Sequence, residues 1–376
     1  MIESSRMDAV ALALAAGARP ALSAAALKAR LPSWPVLPLP ESLEVLGMQG
    51  PGAVAHWRAE AGRVLDRAAP HGYDVRWPAH PAYPALLGTI VDPPLLLWTR
   101  GDAALLDAPA VALVGSREST MGGREVAFRL AADLAAAGVL VASGFARGID
   151  AAVHRGALST GRSMAVLGCG LDQPYPSDHG PLGGDIEAAG VLVSEFPPGA
   201  PPLSHHFPLR NRALSGLCRA VIVVQAARRS GSLITARLAL EQGREVMAVP
   251  GDVRTGANAG GHALIRDGAR LVECASDILE ELGWARVARA ERAERGDDDR
   301  EHGGVQGTSE MGVPAAPAAA ALLRQVARED GVTLDELLVE TGRNGGDLLG
   351  ELLDLELAGL VRRDAAGRFL RAERKW

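Results

Sequence analysis

Between residues 110 and 283 short apolar runs alternate with segments of helical period. VALVGS is followed by GREVAFRLAADLAAAG, and VLVASG by IDAAVHRGALSTG; SMAVLG and VLVSEF come next. AVIVVQA leads into SLITARLALEQG, EVMAVPG into HALIRDG, and ARLVE closes the series. The runs are Val-rich with few polar residues, as strands covered on both faces are. Strict alternation of strand and helix predicts βαβ units and a parallel sheet sandwiched by helices. The expected fold class is α/β, with a Rossmann-like parallel sheet as its core.

The flanks read differently. Residues 1–65 are Ala-rich with helical period in MDAVALALAAG and SAAALKARL, a small helical, SAM-like module broken by PSWPVLPLP. HPAYPALLGTIVDPPLLLWTRG (80–101) is Pro-punctuated with one apolar stretch, so the core domain is set at 80–283. Residues 284–316 are charged and then Gly-rich, the composition of a flexible linker. Residues 317–371 offer three helical patterns and a hairpin, LVRRDAAGRFLRA, turned near Gly367: the order of a winged-helix domain.

Composition narrows the picture. A chain of 376 residues with 48% hydrophobic positions can build two or three domains. Cys169, Cys218 and Cys274 form no CxxC, which speaks against a disulfide framework and against zinc. No apolar run approaches ~20 residues, so no membrane insertion is expected, and the reading is a cytoplasmic protein. The net charge of −6 argues at first against a nucleic-acid partner, but it averages over domains. Lys28 and Lys375 are the only lysines, so arginine is the default cation.

In an open parallel sheet ligands bind beyond the carboxyl ends of the strands. GSREST (115–120) places Gly115, Ser116 and Arg117 before a helix, either as an anion site or as a tight turn with a solvated arginine. SGFARGID (143–150) repeats the theme with Gly144 and Arg147, and His154 one turn on is read as structural. Gly168-x-Gly170 lacks the third glycine of a dinucleotide fingerprint. Ser230, Gly231 and Ser232 open a long helix and form the best phosphate cradle of the set, compatible with an ordinary Ser cap.

Between Glu195 and Glu241 there is no acidic residue, while Arg210, Arg212, Arg219, Arg228, Arg229 and Arg237 fall in that window. Solvated faces normally mix signs; a stretch cleared of carboxylates points to a polyanion. HHFPLRNR (205–212) adds Phe207 and Asn211 to the arginines. Arginine on phosphates with a ring on a base is how proteins hold single-stranded nucleic acid. Phe207 fits that role and fits core packing equally.

Walker A, complete GxGxxG, GxSxG and HExxH motifs do not occur, so neither a cofactor nor a metal is expected. Asp150 and Glu195 are the single carboxylates near the loops, and a binding surface is easier to assemble than a catalytic centre.

VALVGSREST, SGFARGIDAAVHRGAL, MAVLGCGLDQPYP, VSEFPPG, FPLRNRALSGLCRAVIVVQAARRSGSLITARLALEQGREVMAVPGD and GGHALIRDGA occur in this order. Over 80–283 the chain resembles the DprA/Smf family of DNA-processing proteins. The resemblance implies an extended Rossmann fold and a homodimer without enzymatic activity. It implies binding and protection of single-stranded DNA during natural transformation, and loading of the RecA recombinase onto it. It places the DNA pocket at Ser116, Arg117, Phe207, Arg210, Arg212 and Ser230–Ser232, and the loop reading adds Gly115, Gly144, Arg147 and Asn211. Gln225 stands where the family usually has Glu, His179 and His262 where Asn is common, and residues 1–65 lack a helix-hairpin-helix GIGP signature.

Two other readings compete. A nucleotide phosphoribohydrolase of the lysine-decarboxylase-like (LOG) type would need a PGGxGTxxE motif, whereas this chain has SGSLITARLALE with Glu241 far down the helix. A transcription factor would insert NGGDLLGELLDLELAG into duplex DNA, yet that helix is acidic and poor in base-reading donors.

Overall fold

The computed structural model describes residues 2–18, 24–30, 35, 36 and 38–284, and then 332, 333, 336–338, 348, 352, 355, 361–363 and 368–371. Two compact units divide the chain, Met1–Asp298 and Asp299–Trp376.

The first unit opens with α1 (Ile2–Gly17), α2 (Ala24–Arg30), α3 (Leu39–Val45) and α4 (Ala53–Ala68), followed by β1 (Asp74–Arg76), α5 (Ala85–Gly88) and β2 (Leu97–Gly101). The alternating region supplies β3 (Ala110–Gly115), α6 (Met121–Ala136), β4 (Leu140–Ser143), α7 (Ile149–Thr160), β5 (Ser163–Leu167), α8 (Gly180–Ala189) and β6 (Val191–Ser194). It continues with α9 (His206–Leu217), β7 (Ala220–Gln225), α10 (Ser232–Glu241), β8 (Glu245–Ala248), α11 (Ala259–Arg266), β9 (Arg270–Leu271) and α12 (Ala275–Glu281).

These strands form one sheet in the order β1-β2-β6-β5-β4-β3-β7-β8-β9. From β6 to β9 neighbouring strands are parallel, as the alternation predicts. β2 joins β6 antiparallel, and β1 joins β2 antiparallel, so the sheet carries a mixed edge. The apolar stretch of the Pro-punctuated segment is therefore a strand, and the sheet begins at Asp74, ahead of residue 80.

Side-chain alternation along each strand sorts the core. Ala110, Ala112 and Val114 of β3 and Val221 and Val223 of β7 face α9 and α10 through Ala213, Leu214, Leu217, Ala236 and Ala239. Val111, Leu113, Ile222 and Val224 point the other way, into the cluster with Leu130 and Leu134 of α6 and Val153 of α7. On that second face α1–α4 cover the extension: Val10, Leu12, Leu39 and Leu43 share a cluster with Trp98 of β2 and Leu192 of β6. The N-terminal helices are thus the missing outer layer over the antiparallel edge, packed as part of the same unit.

The chain runs from β3 outward to β6 and returns through α9 to β7 on the other side of β3. The order reverses at β3/β7, the crevice where sheets of this kind take ligands.

In the second unit β10 (Val361–Arg363) and β11 (Phe369–Arg371) pair antiparallel, and Val332 bridges to Phe369. Phe369 is buried with Leu337, Leu348, Leu352 and Leu355. The hairpin stands where the sequence placed it. Residues 285–316 of the expected linker, and most of the three expected helices, lie outside the described residues. No helix among the described residues is long and apolar enough to cross a membrane.

His154 is fully buried in α7, with Nδ1 2.8 Å from the Ser163 hydroxyl. Burial drives it down from 6.5 to about 3, so the folded state holds it neutral. Below pH 6.5 the unfolded chain takes up a proton that the native chain refuses. This contribution is therefore intact above pH 6.5 and is lost as pH falls towards 3, by up to about 1.4 kcal/mol per pH unit. Urea unfolding from pH 7 to pH 4.5 is expected to show a steeper loss for wild type than for His154→Gln; parallel profiles would contradict the assignment.

Candidate functional site

Three loops and two helices converge on the β3/β7 crevice. A cavity of about 50 Å³ is lined by Gly115 and Arg117 after β3, Gly144, Ala146 and Asp150 after β4, Arg210, Asn211 and Leu214 of α9, and Gly231, Ser232 and Thr235 of α10. That is room for about four waters or one phosphate-sized group, too little for a nucleoside.

Arg210 is the central cation. It is 5% exposed, and its Nη1 donates to the Val166 carbonyl at 3.1 Å, while its Nε has no partner. A Cβ at Gly144 would stand 1.6 Å from Arg210 Nη1, so only glycine lets the guanidinium lie there. Burial pushes the Arg210 guanidinium down, and the Asp150 carboxylate opposes that shift. Asp150 is also buried, which raises its carboxyl; Arg210 and the Ala146 N–H, donating at 3.2 Å, pull it back.

The loops that frame the cavity are locked to one another. Gly148 has φ +79°, and a Cβ there would come within 2.3 Å of the Ser116 carbonyl. Phe145, fully buried, holds a left-handed φ of 62°, rare for a bulky residue. Its carbonyl accepts from His179 Nδ1 at 3.2 Å, and its ring meets that imidazole edge-on at 5.4 Å.

Phe207 lies beside two of the cavity's lining residues. It is half-buried against Gly168, with the Arg117 guanidinium 5.1 Å from its ring centroid and that of Arg210 at 6.0 Å. On the opposite wall the Ser230 and Ser232 hydroxyls lie 2.7 Å apart at the start of α10. A Cβ at Gly231 would meet nothing within 4 Å, so there is room beside the start of α10, where the Ser232 N–H donates to Ser230 Oγ at 3.3 Å. Two guanidinium groups facing a helix N-terminus make an anion site.

A family model, DNA recombination-mediator protein A, matches residues 74–283. The chain belongs to that family. A second model, the DprA winged helix domain, matches residues 310–367. The DNA processing protein DprA of Streptococcus pneumoniae is 45% identical over 201 residues, which is 53% of this chain and 71% of that protein. Its X-ray structure superposes with a TM-score of 0.59 at 37% identity, covering 65% of this chain and 87% of the other. DNA processing protein A from Helicobacter pylori, solved for its unique single-stranded DNA binding mode, matches with a TM-score of 0.51 and 29% identity over 56% of this chain and 95% of that one.

Of the expected site residues of this DprA-family chain, the cavity gathers Gly115, Arg117, Gly144, Arg210, Asn211, Gly231 and Ser232. Phe207 and Ser230 border it. The Ser116 hydroxyl turns aside to the Glu118 carbonyl at 3.0 Å, and Arg147 pairs in solvent with Asp178 at 3.1 Å.

Arg212 requires a correction. It does not line the cavity with Arg210 but pins Asp92 at 2.9 Å and Glu195 at 2.5 Å on the other side of α9. Residues two apart on a helix point to opposite sides, so an Arg-x-Arg pair cannot serve one pocket from a helix. The residues of α9 that do line it are Arg210, Asn211 and Leu214, at helical spacing. Thr235 was missed although it follows Gly231 and Ser232 by one turn of α10. Asp150, singled out only as an isolated carboxylate, lines the same cavity and offsets part of the cost of burying the Arg210 guanidinium.

Arg212 is thereby a structural residue. Removing it strands the Glu195 carboxylate, which burial already pushes up and Arg212 pulls back. Arg212→Ala is expected to cost about 3 kcal/mol in urea unfolding, and Arg212→Met with Glu195→Leu to recover most of it. An unchanged midpoint for Arg212→Ala would contradict this role.

Proposed function

We propose that the chain binds single-stranded DNA at this cradle, with one backbone phosphate between Arg117, Arg210 and the N-terminus of α10. In this reading it is a recombination mediator that protects incoming single strands in the cytoplasm and loads RecA onto them during natural transformation. One observation carries the reading: Arg117 and the buried Arg210 line one phosphate-sized cavity beside the start of α10. A buried cation short of partners gains most from an anion that can complete its hydrogen bonds.

Further features support it. Arg228 and Arg229 are exposed just before α10, and no carboxylate pairs with them among the described residues. Phe207 carries the Arg117 guanidinium on its face, and a base stacks well against either plane. The Helicobacter pylori relative is described by its single-stranded DNA binding. The homodimer implied by the resemblance finds a candidate edge in β9, where Leu271 is exposed on the last strand of the sheet. Binding rather than catalysis is the reading of the carboxylates as well. Asp150 favours the charged Arg210, and Glu241, well down α10 from the position a phosphoribohydrolase motif requires, pairs with Arg237 at 2.9 Å in solvent.

Fluorescence anisotropy of a labelled oligothymidylate across a salt series tests the reading. Wild type is expected to bind with a steep log–log salt slope. Arg117→Ala should bind more weakly with a slope shallower by about 0.7, the share of one phosphate contact on a single strand. Gly144→Ala, which displaces Arg210, should lose about 10- to 100-fold, the worth of a charge-assisted hydrogen bond. Wild-type affinity in both variants would misplace the site, and no binding by wild type would sink the function. The mediator role is read from the lag before RecA filaments form on the same strand, which wild type should shorten and Gly144→Ala should not.

A further inference from the structure

Tyr175 is one of three tyrosines in the chain, and it is 47% exposed. The large aromatics Trp98, Phe145 and Phe369 are, by contrast, fully buried. Its exposure is not that of a loose loop. Gln173 N–H donates to the Gly170 carbonyl at 2.9 Å, and Gly170 N–H to Ala200 at 2.9 Å. His179 N–H donates to Pro176 at 3.0 Å, and the His179 ring ties the end of the loop to Phe145. The backbone is fixed on both sides of Tyr175 while the ring stands in water.

Among the described residues the ring has one aromatic neighbour. Its centroid lies 5.9 Å from that of Phe207, with the planes tilted by 56°. Phe207 in turn carries Arg117 at 5.1 Å, and Arg117 lines the phosphate-sized cavity. Guanidinium, phenyl and phenol therefore form a row that starts at the cavity and ends in solvent. The nearby carboxylate of Asp178 is turned to Arg147 and adds no unpaired negative charge along the row. A cationic phosphate site continued by a rigid, open ring is the arrangement that stacks the bases of a single strand.

We infer that Tyr175 is a second base-stacking platform, which takes the nucleotide next to the one whose phosphate occupies the cavity. The inference rests on the single-strand reading above and extends the track beyond Phe207. It assigns the ring, not the hydroxyl, as the binding element.

The test is anisotropy with the full chain and two labelled strands of equal length, oligothymidylate and its abasic counterpart. Tyr175→Ala is expected to weaken oligothymidylate binding about 5- to 100-fold, the range of one lost base stack. Its salt slope should match wild type, because no phosphate contact is lost. Tyr175→Phe should bind as wild type, and on the abasic strand all three proteins should bind alike. A single 5-iodo-deoxyuridine in the thymidylate strand should photo-cross-link to the peptide that contains Tyr175. If Tyr175→Ala binds oligothymidylate as wild type does while Arg117→Ala is weakened, the inference fails and the single-strand reading stands. A loss that persists on the abasic strand likewise overturns it. If wild type binds neither strand, the single-strand reading fails and the inference with it.

Discussion

A guanidinium taken out of water has to be answered from within the protein, and the answer given to Arg210 organises the site. Burying such a charge without partners is among the costliest events in folding. The chain answers with the Val166 carbonyl at 3.1 Å and the buried Asp150 carboxylate, and leaves Nε unanswered. Each choice constrains another element. Residue 144 must lack a side chain, Asp150 must stand in the first turn of α7, and α9 must present Arg210 towards β4 and β5. The Asp150 carboxylate opposes the cost of burying the guanidinium and so favours its charged form.

α9 has two jobs because it has two faces. Arg210, Asn211 and Leu214 look into the crevice. Arg212, two residues from Arg210, looks back towards Asp92 and Glu195, where the β2 edge and the end of β6 meet. One face offers positive charge to a ligand, and the other spends its charge holding the returning crossover against the extended sheet. The cationic window is therefore less uniform than its composition. Arg219 lines a cleft with Asp107 and Trp284, away from the cradle, and Arg237 is paired with Glu241. Of that window Arg210 lines the crevice, joined there by Arg117, while Arg228 and Arg229 are exposed just before α10.

The parallel core was legible because buried strands read as Val-rich runs and each is followed by a helical period. The antiparallel edge was not: β1 has three residues and β2 is introduced by prolines, so neither leaves an alternating trace. That α1–α4 are an outer layer of the same unit was hidden as well, since an apolar helix face does not name what it covers. At the site, the glycines and the Ser-Gly-Ser helix start were legible from turn and cap chemistry. Arg212 was misread for want of one fact, that HFPLRNR is helix, where a spacing of two reverses direction. Asp150 and Arg210 are sixty residues apart in the chain, and only the fold brings them into one cavity wall.

Whether a phosphate reaches Arg210 is measured directly by a crystal structure of the chain with a short oligothymidylate. A backbone phosphate within hydrogen-bond distance of the Arg210 guanidinium and of the amides at the start of α10 is the predicted result. A strand bound elsewhere, with the Arg210 cavity holding only water, would contradict it.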